Sequence, residues 1–189
     1  MRNVETDDQA TFEFGGVHHV ALVCSDMGRT VDFYSGTLGM PLVKTVALPE
    51  GGGQHFFFDI GNGDTLAFFW FPDAPPAAPG IAAPHGFPTD LDLLSAIGSM
   101  NHLAFSVPAD RFDEKVSLLD AKGIAHTEVL NHDDSEWGVA PSADDAGVYV
   151  RSVYFFDPDG VLLELAAWTR TFTDADVAHE PARPTAVPG

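Results

Sequence analysis

An internal repeat is the feature of this sequence that most restricts its fold. The segments 17–23 and 100–106 share a pattern in which a histidine, His19 or His102, is followed by an apolar residue, an alanine and a second apolar residue. After each segment, apolar residues recur at helical spacing until a glycine, Gly39 in the first copy and Gly123 in the second. A strand-helix unit that occurs twice indicates two similar modules.

The two predicted helices have recognisable ends. Asp26 is expected to cap the first helix and Asp110 the second, because a carboxylate at this position accepts hydrogen bonds from the free N–H groups of the first turn. The glycines suit the left-handed conformation that often ends a helix. The apolar positions that define the helices are Met27, Val31, Tyr34 and Leu38 in the first copy and Phe112, Val116 and Leu119 in the second.

Strand-like segments follow each predicted helix. Turn-forming sequences, 61–64 and 157–160, separate the last two strands of each copy. The pattern therefore predicts an α+β fold of two βαβββ modules. The strands that follow the helices are expected at 41–48, 54–60 and 65–71 in the first module and at 124–130, 148–156 and 161–168 in the second.

The remaining segments set the expected boundaries. We predict one domain overall, with an acidic loop over 133–147 inside the second module. A connector with six prolines between 72 and 88 suits an extended crossing between modules. The expected parts are a flexible tail over 1–14, module 1 over 15–71, a Pro-rich connector over 72–98, module 2 over 99–170 and a C-terminal tail over 171–189.

Charge and composition exclude several classes of partner. The 28 Asp and Glu against 9 Lys and Arg give a formal charge of −19, which repels nucleic acid and anionic lipid headgroups. The single cysteine, Cys24, cannot form an internal disulfide. The first residues lack the basic and apolar regions of a signal peptide, so we expect a cytoplasmic protein with neither nucleic-acid nor membrane partners.

Three polar residues stand in apolar strand segments. His19 and His102 occupy matching repeat positions, and Glu164 lies within the run 161–168, which contains no Lys or Arg. A buried carboxylate without a partner costs several kcal/mol. Two neutral imidazoles and one carboxylate favour a divalent metal and leave coordination positions open, as in non-haem iron(II) oxygenases.

These residues and motifs resemble the vicinal oxygen chelate superfamily, which includes glyoxalase I, antibiotic-resistance proteins and type I extradiol dioxygenases. The resemblance covers roughly 15–170 and rests on the two modules, on His19 in HHVAL, on His102 in NHLAF and on Glu164 in YFFDPDGVLLEL. It implies a half-open mixed β-barrel around a metal held by His19, His102 and Glu164.

The repeat also indicates which members are most similar. Ala67 occupies the position in module 1 that Glu164 has in module 2, so module 1 offers no fourth ligand. Glyoxalase-like members normally have Glu, Gln or His there. The sequence therefore looks like a small extradiol dioxygenase of the biphenyl-2,3-diol kind, which implies Fe(II), with Mn(II) as the alternative metal, and O2 as co-substrate for cleavage of a catechol-type diol.

The resemblance also suggests residues around the metal. Tyr154 stands ten residues before Glu164, as does a tyrosine at the catechol site of extradiol enzymes. Those enzymes usually carry a histidine about nine residues before that tyrosine; this chain has Asp145 there, so His132 could serve instead.

A proton-shuttling histidine is also expected. His85 is its first candidate, with His55 and His18 as further ones, and the proposed ring pocket is lined by Phe57, Phe69, Trp137 and Tyr154.

Two other functions share the fold. A glyoxalase-type isomerase or lyase needs no O2 and usually has four protein ligands, which Ala67 disfavours. A metal-free protein that sequesters an antibiotic needs none of the three ligands. In each case the sheet edges of the fold make a homo-oligomer an expected assembly.

Overall fold

The structure is a computed structural model that describes residues 16–77, 95–177 and 179–181. The chain divides into two compact units, with the boundary between Pro76 and Ala77. Each unit contains one mixed β-sheet and its own helix. The predicted α+β class is confirmed, whereas closure of the sheets into a barrel stays a prediction.

The first unit contains a four-stranded sheet. Its strands are β1 (His19–Val23), β2 (Leu42–Ala47), β3 (Gln54–Gly61) and β4 (Asp64–Trp70), in the spatial order β1-β4-β3-β2. Strands β1 and β4 are parallel and the other pairs are antiparallel. The strands lie within about one residue of the expected segments, and with the helix after β1 they form the predicted βαβββ unit.

The helix after β1 begins as expected and continues in an unexpected geometry. Asp26 accepts a hydrogen bond from the Arg29 backbone N–H at 3.0 Å and so caps α1 (Met27–Val31). The helix then widens into a π-helical segment, Asp32–Thr37. It ends before Gly39, whose φ of +81° is the left-handed conformation anticipated for a closing glycine.

The sheet of the first unit has two chemically different faces. On one face Tyr34 packs against Phe58 and Phe68, with ring centroids 5.7 and 4.8 Å away, and all three side chains are buried. Residues paired directly across strands point to the same side of a sheet, so the register defines the other face. That second face contains His19, Ala21, His55, Phe57, Ala67 and Phe69.

The second unit contains a five-stranded sheet with the order β5-β9-β8-β6-β7. Its strands are β5 (Leu103–Ser106), β6 (Leu130–His132), β7 (Val139–Ala140), β8 (Val150–Phe156) and β9 (Leu162–Trp168). Strands β5 and β9 are parallel, and the other pairs are antiparallel. The sheet therefore repeats the parallel first-to-last pairing of the first unit and adds the short strand β7.

Two expectations for the second unit require correction. The strand expected at 124–130 forms instead at Leu130–His132, and earlier in that segment His126 makes a single bridge to Phe155. Asp110 does not cap α2 (Phe112–Ala121), because the chain first makes a 3-10 turn over Ala109–Arg111 and Arg111 occupies the cap position. The spacing of apolar residues located the helix but not this intervening turn.

Phe112 and Leu119 nevertheless form the buried side of α2, as the spacing predicts. Gly123, at φ +68°, follows the end of the helix. Across the described residues, we find no helix whose length and hydropathy would allow it to span a bilayer.

Candidate metal and substrate site

Glu164 lies at the centre of the polar group in the second unit. In β9 it stands directly between Ala104 of β5 and Tyr154 of β8, so these three side chains share one face of the sheet. The residue is 4% exposed. A carboxylate this buried requires a partner that compensates for its lost hydration.

His102 provides that partner. Its Nε2 lies 2.9 Å from Glu164 Oε2, and its Nδ1 lies 2.7 Å from the side-chain oxygen of Asn101. His102 immediately precedes β5, the first strand of the unit, and Glu164 lies in β9, the last. Because β5 and β9 pair in parallel, they bring the imidazole and the carboxylate together. The sequence prediction that these two residues belong to one site is consistent with this contact.

The environment of Glu164 favours its ionised form. Burial by itself would raise the pKa of the carboxyl group, but the contact with His102, the nearby Ser152 hydroxyl and the electrostatic influence of His102 and His132 outweigh burial, so the pKa is lowered. Glu164 is therefore a carboxylate at neutral pH. It can act as an anionic ligand or as a hydrogen-bond acceptor.

Tyr154 and His132 complete this face. The Tyr154 hydroxyl lies 3.5 Å from His132 Nε2, and the tyrosine ring stands edge-on to the His102 ring with centroids 5.6 Å apart. Burial and the nearby Glu164 carboxylate raise the pKa of Tyr154 to about 12. Tyr154 therefore keeps its proton and can donate a hydrogen bond to an oxygen on a ligand.

Ser152 belongs to the same face and was missed by the sequence analysis. It is fully buried in β8, opposite Ala166 of β9. Its hydroxyl makes no hydrogen bond of good geometry among the described residues, although it lies near enough to Glu164 to help lower the pKa of that carboxyl group. A hydroxyl two residues from Tyr154, in an otherwise apolar strand, was the signal that could have identified it.

In the first unit, His19 shares its sheet face with an aromatic cluster. The His19 ring lies 6.1 Å from the Phe57 ring, and His55 packs against Phe57 and Phe69 with centroids 4.3 and 3.6 Å away. Phe57 and Phe69, both expected in the substrate pocket, are thus placed together on the His19 side of the sheet.

His55 contributes more to this face than the sequence indicated. The residue is 8% exposed, and its Nδ1 is buried without a hydrogen-bond partner among the described residues. Burial, with a smaller effect from His19, lowers the pKa of His55. A neutral imidazole with one unsatisfied nitrogen can bind a polar group of a ligand.

Ala67 confirms that module 1 has no ligand at the position equivalent to Glu164. It is fully buried and lies between Ala21 of β1 and Phe57 of β3. The centre of this face therefore carries a methyl group where the equivalent position in the second unit carries a carboxylate.

Other predicted residues are placed differently. His85 falls outside the described residues. Trp137 is 83% exposed and lies between β6 and β7, so its place in a ring pocket stays a prediction. Asp145 accepts a hydrogen bond from the Ser142 backbone N–H at 3.2 Å and thereby stabilises a turn of the acidic loop.

The donor atoms of His102 and Glu164 suit a cation. If Asn101 Oδ1 accepts a hydrogen bond from His102 Nδ1, a neutral imidazole would present the lone pair of Nε2 to the carboxylate. Two electron-pair donors 2.9 Å apart require a proton or a metal ion between them. Over residues 16–77, 95–177 and 179–181, no group of three or more His, Cys, Asp and Glu side chains is arranged as a ready metal site.

Comparison with known proteins identifies the family. The sequence model of the Glyoxalase/Bleomycin resistance protein/Dioxygenase superfamily matches residues 16–165, which include both repeats and Glu164. The chain belongs to this superfamily. The resemblance to the vicinal oxygen chelate superfamily is thereby confirmed. The finer resemblance to biphenyl-diol dioxygenases stays a prediction.

The chain is also similar to three individual proteins. The protein YwkD of Bacillus subtilis (strain 168), itself uncharacterised, is 29% identical over 79% of this chain and 94% of its own length. "Putative ring-cleaving dioxygenase MhqE" of the same organism is 26% identical over 87% of this chain, which spans only 58% of MhqE. FosX of Listeria monocytogenes, a fosfomycin resistance protein solved with Mn(II) and sulfate, is 18% identical, with a TM-score of 0.51 over 83% of this chain and 95% of FosX. The likeness to FosX shows the shared fold alone.

Proposed function

We propose that this protein is a metal-dependent extradiol dioxygenase that cleaves the ring of a catechol-type diol with O2. The observation that carries the proposal is the contact between His102 Nε2 and Glu164 Oε2, on the sheet face that also holds Tyr154 and His132. Similarity to a relative named as a ring-cleaving dioxygenase supports the same reaction class.

In this proposal His102 and Glu164 would hold Fe(II), with Mn(II) as the alternative, and His19 is the further ligand predicted from the sequence. A divalent ion bound by such ligands would keep a net positive charge and so would favour the ionised form of the diol. The overall reaction adds both atoms of O2 across the ring carbon bond next to the two hydroxyls and gives a ring-opened hydroxy-oxo-dienoic acid.

Side chains of the protein would orient the diol and transfer its protons. Tyr154 retains its proton at neutral pH, so it can donate a hydrogen bond to a diol oxygen. His132, within reach of the Tyr154 hydroxyl, can exchange a proton with it. In the first unit, Phe57 and Phe69 supply apolar surface for a ring, and the unsatisfied nitrogen of His55 can bind a polar substituent.

Oxygen uptake after anaerobic reconstitution tests the proposal. The chelator-treated protein is loaded with Fe(II) or Mn(II), and O2 consumption is followed with catechol and 2,3-dihydroxybiphenyl. We expect uptake in the loaded protein and loss of both metal and uptake in His102→Ala and Glu164→Gln. His126→Ala is the matched control, because His126 bonds Asp120 elsewhere in the same unit at 3.2 Å and should leave both unchanged.

Three results would contradict this proposal. Protein that retains Fe(II) but consumes no O2 with any vicinal diol is not an extradiol dioxygenase. Turnover of fosfomycin by the Mn(II)-loaded protein in the absence of O2 would instead favour the type of activity associated with FosX. A protein whose ligand affinity survives His102→Ala would be a metal-independent binding protein.

A further inference from the structure

The residue before each proposed ligand histidine contacts that histidine's Nδ1 atom. In the second unit, Asn101 Oδ1 lies 2.7 Å from His102 Nδ1. In the first unit, His18 Nδ1 lies 2.8 Å from His19 Nδ1. The two repeats therefore share a contact that the motif itself, a histidine followed by apolar residues and alanine, does not reveal.

The orientation of Asn101 determines which atom faces the imidazole. Its amide nitrogen donates to Ser95 Oγ at 3.2 Å, which leaves the carbonyl oxygen directed at His102. A carbonyl oxygen can only accept, so His102 Nδ1 must carry the proton in this contact. In the metal-free protein a proton lies between His102 Nε2 and Glu164 Oε2, which are 2.9 Å apart; because Nδ1 is protonated as well, a metal ion that displaced this proton would meet the lone pair of Nε2.

The equivalent contact in the first unit allows the same assignment. One of the two Nδ1 atoms must donate to the other. If His19 Nδ1 donates, His18 accepts with its own Nδ1 lone pair and carries its proton on Nε2. His19 then has its lone pair on Nε2, the same atom that His102 would present to a metal ion in the second unit.

We propose that Asn101 and His18 are positioning residues that keep a proton on Nδ1 of His102 and His19 and so leave Nε2 as the atom that binds a metal ion. The protonation of Nδ1 is independent of the proposed function, and only the expected effect on metal affinity rests on that function. Partners that fix the tautomer and ring orientation of a metal-binding histidine typically change metal affinity by about 10- to 100-fold. The proposal assigns such a partner to each module, supplied in both cases by the adjacent residue.

The tautomers can be measured without metal. In long-range ¹H–¹⁵N NMR spectra of the chelator-treated full-length protein at pH 8, we expect His102 Nδ1 to be protonated. Asn101→Leu removes the acceptor at similar volume and should shift His102 toward the tautomer protonated on Nε2. If wild-type His102 Nδ1 carries no proton, or if it remains protonated in Asn101→Leu, the proposal is overturned.

Metal affinity provides the second measurement. Competition between the protein and a chelator for Mn(II) should show binding weakened about 10- to 100-fold in Asn101→Leu. Asn101→Asp keeps an acceptor oxygen and should bind within about 3-fold of wild type or more tightly. Asn131→Leu is the matched control, because Asn131 accepts from Arg151 Nε at 3.3 Å in the same sheet and should leave affinity unchanged.

The first unit offers a direct test of the repeat equivalence. His18→Asn installs the arrangement of the second unit and should retain Mn(II) affinity, whereas His18→Leu should weaken it about 10-fold or more. Unchanged affinity in both Asn101→Leu and His18→Leu would refute the positioning role. If wild-type protein binds no Mn(II), the proposed function fails, and the tautomer of His102 still decides this inference.

Discussion

The contact between His102 and Glu164 allows the stability effect of removing it to be predicted for the metal-free protein. The Glu164 side chain is 6% exposed and that of His102 is 32% exposed, so the pair lies between a buried and a surface ion pair. Breaking a fully buried pair costs about 3–5 kcal/mol, and a surface pair contributes about 0–1 kcal/mol. Because water can reach His102, we expect His102→Ala to lower the free energy of unfolding by about 2–3 kcal/mol.

A double-mutant cycle isolates this interaction from other effects of the substitutions. We expect the combination of His102→Ala with Glu164→Gln to be less destabilising than the sum of the single changes by about 1–2 kcal/mol. The same cycle on His126 and Asp120 is the control. Its carboxylate is 73% exposed, so its coupling free energy should be below about 1 kcal/mol. Urea unfolding with chelator at pH 7 measures both cycles.

The effect of a metal ion on stability distinguishes whether His102 and Glu164 form only an ion pair or also bind the metal. Mn(II) at about 100 times its dissociation constant should raise the stability of the wild-type protein by about 2.7 kcal/mol. The His102 and Glu164 variants should gain far less, whereas the His126 variant should gain the full amount. A coupling free energy near zero in the His102 and Glu164 cycle, together with no stabilisation by metal, would refute the reasoning about this site.

Three further predictions concern other residues. Tyr154 should ionise near pH 12, which is measured as the tyrosinate absorbance that Tyr154→Phe removes. Because the pKa of Tyr154 is raised in the folded state, its contribution to stability is complete below pH 10 and decreases above it. An ordinary pKa near 10 would contradict the described burial. Gly53→Ala should lower the free energy of unfolding by at least about 2 kcal/mol, because the φ of Gly53 is +129° and an added Cβ would lie 2.0 Å from the Trp70 carbonyl oxygen. Gly36→Ala is the control: there is open space around Gly36, so the free energy of unfolding should change little. Urea unfolding measures both variants. His55→Leu should retain metal but raise KM for diols with a polar ring substituent, and an equal effect on unsubstituted catechol would exclude this contact.

Much of the local structure could be predicted from residue patterns. Asp26, followed by apolar residues at helical spacing, located α1 and its cap, and the turn at 157–160 separated β8 from β9. The pattern could not distinguish a helix cap from a preceding 3-10 turn, which is why the assignment of Asp110 was wrong. It also could not specify where a short strand such as β6 begins, since pairing with β8 determines its ends.

The sequence by itself determined which chemistry is available: two histidines in equivalent repeat positions, one carboxylate in an apolar strand, and an alanine where a fourth ligand would stand. Only the tertiary structure decided which groups meet. Parallel pairing of β5 with β9 brings Glu164 to His102, and the neighbouring strand adds Tyr154 and Ser152. The physical reason is that the local sequence determines which residues of a strand share a face, whereas the register between strands distant in the chain depends on tertiary packing, which a local pattern does not specify.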